Sequence, residues 1–194
     1  DAGTYVMVHV YVPEAIRRAI RAGVKSIEHG QLIDEPTMKL IAEKGVWLSM
    51  QPFIGEGNNH YTNPVQQAKH ELVVQGTDRA YQLAKKYGVK LAWGTDLLFS
   101  PANARNQNLN IEKMTRWFSN FEILKMITHD NAELLALSGR RNPYPGKLGV
   151  IEEGALADLI VVDGNALEDI KVLTDPGKNM LLIMKDGKIY KNDL

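Results

Sequence analysis

Apolar positions change their period in a regular way along the first two thirds of the chain. Four short, mostly apolar runs, Thr4–Val10, Val24–Glu28, Val46–Met50 and Lys90–Thr95, read as buried strands. Between them the apolar residues recur every three or four positions, which predicts helices. Pro13 opens a helix over Glu14–Arg21 and Gly23 closes it. A second helix over Glu35–Lys44 takes its apolar face from Ile33, Met38, Leu40 and Ile41 and stops at Gly45. A third is expected over Gln75–Lys86, ending at Gly88, and a fourth over Ser119–Ile127. Thr128 is suited to cap a short helix running to Leu137. The polar stretches Gly55–Asn63 and Ser100–Asn110 read as loops.

This rhythm makes four βα units, which right-handed crossovers wind into a parallel sheet with helices outside. A closed eight-stranded barrel needs about 250 residues and roughly 140 are available here, so half of a (β/α)8 barrel is the economical expectation. A small open doubly wound domain is the alternative, although no Gly-rich phosphate turn follows any of the strands. From Tyr144 onward the pattern is all-β: turns at Pro145–Gly149 and Glu152–Gly154, a strand over Ala157–Asp163, and a hairpin turning at Asp186-Gly187. The expected domains are therefore 1–143, the half barrel, and 144–194, a small β-sandwich-type appendage.

Three of the four strands finish on a side chain that can bind a metal: His9, His29 and Asp96. Parallel α/β sheets gather their chemistry at the carboxyl ends of strands. Two imidazoles and a carboxylate there suit a divalent cation that activates water, and so a hydrolase. Each alone has a plainer reading: a lone strand-end histidine is usually a packed core residue, and Asp96 could cap a helix. The parallel placement of His9 and His29 reverses those odds. Tyr11, just beyond His9, and Gln51, just beyond the third strand, are candidate substrate-binding residues. Glu28 should face away from His29 and make a structural ion pair. His60 and His70 are read as solvated, His129, which follows the Thr128 cap, as structural, and Trp47, Trp93 and Trp117 as packing residues. Loops Phe53–Val74 and Leu97–Thr115 are the expected substrate determinants.

Composition narrows the partners. In 194 residues Lys+Arg and Asp+Glu are both 23, which argues against a nucleic-acid partner. Cysteine is absent, so a metal must use imidazole, carboxylate or water; that donor set suits zinc while admitting manganese, iron or cobalt. No apolar run approaches a membrane span and no signal peptide opens the chain, which leaves its compartment open. It starts at Asp1 rather than Met, so an upstream part is expected. Exposed parallel strand edges would then invite self-association, and a homo-oligomer is expected.

Several stretches carry a family resemblance: Val8-His9-Val10-Tyr11, Gly23–Gly30, Gly94-Thr95-Asp96 and, most specific, Leu148–Asp163. They resemble the C-terminal half of an amidohydrolase-superfamily enzyme, on the branch of imidazolonepropionase-like proteins and Xaa-Pro dipeptidases. The resemblance implies the C-terminal half of a TIM-like (β/α)8 barrel, with His9 and His29 closing strands five and six and Asp96 closing strand eight. It further implies that the histidines bind one of up to two divalent metal ions, zinc being expected. Asp96 would contact the other ion and shuttle the proton for a metal-activated hydroxide attacking an amide bond in a small peptide-like or cyclic amide substrate. The family's His-x-His pair and carboxylated lysine have no counterpart here, so a catalytically silent truncated fragment is the alternative.

Overall fold

The computed structural model of the chain describes residues 2–55, 61–97 and 101–194. His60 and parts of the two long loops lie outside the described residues. The chain forms two compact units, one of Tyr5–Gly94, the other of Asp1–Thr4 with Thr95–Leu194.

The first unit is a parallel sheet with its crossover helices. In chain order it holds β1 (Met7–Val10), α1 (Pro13–Arg21), β2 (Ser26–His29), α2 (Glu35–Lys44), β3 (Trp47–Met50), α3 (Pro64–Tyr87) and β4 (Leu91–Trp93). The sheet order is β1-β2-β3-β4, each strand parallel to the next, as the βα rhythm predicts. β3 is buried at all four positions, whereas β1 exposes Met7 and His9. Ile16 of α1, Met38 and Ile41 of α2, and Ala80, Tyr81 and Ala84 of α3 pack with Ile27, Leu48 and Met50 into the fully buried core.

Local chemistry sets the helix ends. Asp34 caps α2 by accepting from the Thr37 N–H at 2.9 Å, and Gly45 closes it at φ 61°. Arg17 of α1 donates to both Asp34 and Thr37, tying the two helices together. The third helix begins at Pro64, well before the expected Gln75. Its early turns are largely exposed and carry no apolar stripe, which is why periodicity misses them. Asn63 accepting from Val65 N–H and Pro64 in the first turn are the start signal that overrides the missing stripe. At Gly76 a Cβ would overlap the carbonyl oxygen of Gln31, so only glycine lets α3 approach that backbone.

The second unit carries short helices α4 (Pro101–Ala104), α5 (Leu109–Lys113), α6 (Asn120–Lys125) and α7 (Asn131–Ala136), then β5 (Leu159–Val162), α8 (Pro176–Asn179), β6 (Met180–Lys185) and β7 (Lys188–Asn192). Ser119 and Glu122 form a reciprocal capping box at the start of α6. Thr128 does not cap a new helix. A π-type turn over Met126–Asp130 carries α6 into α7, and the Thr128 hydroxyl donates back to the Leu124 carbonyl at 2.7 Å. β5, β6 and β7 form one antiparallel sheet, with Asp186 and Gly187 both at positive φ in the hairpin turn. No helix among the described residues is long and apolar enough to cross a membrane.

Candidate metal centre

His9 is the third residue of β1 and His29 the last of β2. Their strands are registered with His9 opposite Glu28 and Val10 opposite His29. In an uninterrupted strand that register would send the two rings to opposite faces. His29 breaks the alternation with φ at 82°, and the rings meet. His29, Asp96 (φ 52°) and Asp186 are the non-glycine residues at positive φ among those described. Such a conformation costs on the order of 1–3 kcal/mol and persists where surrounding structure enforces it. Asp186 sits in a hairpin turn that demands it, while the other two are the strand-end residues singled out from the sequence.

His9 Nδ1 lies 2.8 Å from His29 Nε2. The other nitrogen of His29, Nδ1, lies 2.7 Å from Gln51 Oε1, and Gln31 Nε2 donates to the same oxygen at 3.4 Å. A carboxamide oxygen only accepts, so His29 Nδ1 carries a proton, and in the neutral ring Nε2 holds the lone pair. His9 Nδ1 is then the donor in the 2.8 Å contact. Tyr11 stacks on His29 with ring centroids 4.7 Å apart and an interplanar angle of 14°, and meets His9 edge-on at 5.2 Å. His29 is 4% exposed, Gln51 5% and Gln31 1%, so the polar chain runs inward from an exposed His9 to a buried end.

The pair fits a cation with little adjustment. Two imidazole nitrogens at 2.0–2.1 Å from a tetrahedral zinc stand about 3.3 Å apart, so the 2.8 Å seen here must open by roughly 0.5 Å. The donors are soft enough for zinc, and His29 already offers the required lone pair. Within Tyr5–Gly94 no third imidazole or carboxylate joins these two nitrogens among the described residues.

Tyr11 and Gln51, expected to meet substrate, are both in this cluster; Gln51 is buried with its carbonyl turned to His29. Asp96 follows β4 by three residues, is exposed, and is the second residue of the long segment of the second unit. The Glu28 carboxylate accepts from the hydroxyl of Ser26 at 2.6 Å. Gln31 escaped the sequence reading; its only signal was an amide two residues past a strand-end histidine.

In the second unit His129, Asp130 and Glu133 bring ligand-type atoms within 4.8 Å of one another beside a cavity lined in part by Lys147, Glu152 and Glu153. Asp130 is already held by Lys125 and, at 3.0 Å, by His129 Nδ1.

The sequence pattern of the amidohydrolase family matches residues 1–190. The chain belongs to the amidohydrolase family. The chain is 33% identical over 190 residues to ochratoxinase of Aspergillus niger, across 96% of this chain and 38% of that protein. Its fold superposes on a crystal structure of an amidohydrolase with a TM-score of 0.86 at 36% identity, over 99% of this chain and 46% of the other. A prolidase solved in complex with N-methylphosphonate-L-proline gives a TM-score of 0.84 at 34% identity, over 98% of this chain and 46% of that one. The chain thus spans less than half the length of the relatives it matches.

Proposed function

We propose that this chain carries part of a metal-dependent hydrolase that cleaves amide bonds in small peptide-like or cyclic amide substrates. The observation that carries the reading is the facing of His9 Nδ1 and His29 Nε2 at 2.8 Å at the carboxyl ends of adjacent parallel strands. The likeness to a prolidase and to ochratoxinase supports the amide-bond class. The parallel order β1-β2-β3-β4 supports our reading of this sheet as four βα units of a (β/α)8 barrel, its C-terminal half.

In this reading His9 and His29 hold a divalent cation, zinc being the expected one. Such a cation supplies the Lewis acidity that makes water nucleophilic at neutral pH and polarises an amide carbonyl. His29 gives Nε2 and keeps its proton on Nδ1 against Gln51. His9 must move its proton from Nδ1 to Nε2 to present a lone pair. Tyr11, stacked on His29, would exclude water from one face of the ring and offer its hydroxyl to substrate. We assign Asp96 the proton relay, because an ionised carboxylate can take a proton from water and return it to the leaving amine.

The test is zinc content and hydrolysis of dipeptides ending in proline, measured on this chain. Asp96→Asn should retain zinc and lose about 10²- to 10⁴-fold in rate; full activity in that variant would refute the relay. A competing reading, a folded chain that hydrolyses nothing, is favoured by the ligand count. Catalytic zinc sites use three protein ligands, and among the described residues two imidazoles converge here. Zinc retained at stoichiometric level together with turnover would rule that reading out.

A further inference from the structure

We propose that Gln51 is a positioning residue that fixes the tautomer of His29, with Gln31 setting the orientation of its amide. The proposal deepens the metal-site reading above and rests on it for its purpose, though not for its measurement. An imidazole commits its lone pair to one nitrogen by giving up the other as a donor, so whatever faces Nδ1 decides whether Nε2 is available. Here Gln51 Oε1 faces His29 Nδ1 at 2.7 Å.

An isolated glutamine could turn over and present its NH2 instead, which would demand an unprotonated Nδ1 and put the proton on Nε2. Gln31 opposes that rotation. Its Nε2 donates to the same Gln51 oxygen at 3.4 Å, and a turned Gln51 would set two NH2 groups against each other. The cost of this arrangement is visible: Gln31 Oε1 is buried and finds no donor among the described residues. Rotating Gln31 to satisfy it would bring two carbonyl oxygens together, so both amides are held in the one orientation that leaves Nε2 of His29 unprotonated and accepting from His9. Gly76 fixes the frame, since α3 closes on the Gln31 backbone only where no Cβ intervenes. The result is a relay of three buried side chains on β2, on the segment after it, and after β3, ending on a ligand nitrogen.

Long-range proton–nitrogen correlation spectra of the zinc-free chain, near pH 8 and above the ordinary imidazole range, read the tautomer directly. The native chain should show His29 protonated on Nδ1. Gln51→Leu should move it toward a mixture, and zinc alone, titrated in, should bind 10- to 100-fold more weakly. Gln51→Glu, which keeps an acceptor in place, should restore the Nδ1–H form. If Gln51→Leu loses its native circular dichroism, Gln31→Met tests the same point with a smaller shift in the same direction. His29 unchanged in both Gln51→Leu and Gln31→Met overturns the proposal while leaving the metal reading standing. A shifted tautomer in a chain that binds no zinc at all upholds the proposal and sinks the metal reading.

Discussion

At the residue scale, His9 and His29 play unequal parts. His29 is buried, stacked by Tyr11, bonded to Gln51 and bent to φ 82°, so its lone pair is ready. His9 is exposed and spends its Nδ1 proton on its neighbour. Zinc should therefore move one tautomer only: His9 changes from Nδ1–H to Nε2–H while His29 keeps its form, in the same nitrogen spectra. A change at His29 instead would show the donor assignment to be reversed. The strand-end histidines were legible in the sequence because an apolar run that stops on a polar side chain marks a rim. Gln31 was not, because nothing local announces that an amide will meet another twenty residues away. The backbone bend at His29 was equally hidden, since histidine does not advertise a positive φ as glycine does.

At the scale of elements, α2 and α3 are joined at their ends. Lys86 donates to Glu35 at 2.7 Å and Tyr87 donates to it as well, and these bonds pull the Glu35 carboxyl from 4.5 to about 2. A carboxyl depressed in the folded state contributes stability above its ordinary range and loses it as pH falls toward the folded value. Stability measured by urea unfolding should thus fall between about pH 4.5 and 2, Glu35→Gln should flatten that segment, and salt should shrink the effect. A second prediction concerns Gly76. Helix propensity alone favours alanine there by about 1 kcal/mol, yet the Cβ would overlap the Gln31 carbonyl, and overpacking costs about 1–3 kcal/mol. Gly76→Ala should lower the urea midpoint, whereas a gain would show that α3 can shift. The crossover helices were readable wherever a stripe and a glycine stop coincided, as at Met38, Ile41 and Gly45. The early turns of α3 were not, because they face solvent and only Asn63-Pro64 signals them.

At the scale of the whole molecule, β1 and β4 end the order of the parallel sheet among the described residues, and Val6, just before β1, and Met7, its first residue, are 62% and 52% exposed. Parallel edges that pair with no further strand among the described residues, and that bear apolar side chains, favour association. Sedimentation over micromolar concentrations should show self-association that a Val6→Lys, Met7→Lys double variant reduces; a monomer throughout would remove this proposal. The alternation of strands and helices was legible because its period switches at each glycine or proline. How the chain divides was less so, since compactness depends on contacts that composition does not encode. The single-sided support of β1 bears on how the metal centre would work. One jaw of the nitrogen pair sits on an interior strand and the other on a border strand, so the half-ångström of opening falls on β1. Anything laid along that border would stiffen the moving jaw. Affinity for a cation would then be set from outside the ligand pair, by whatever grips the edge of the sheet.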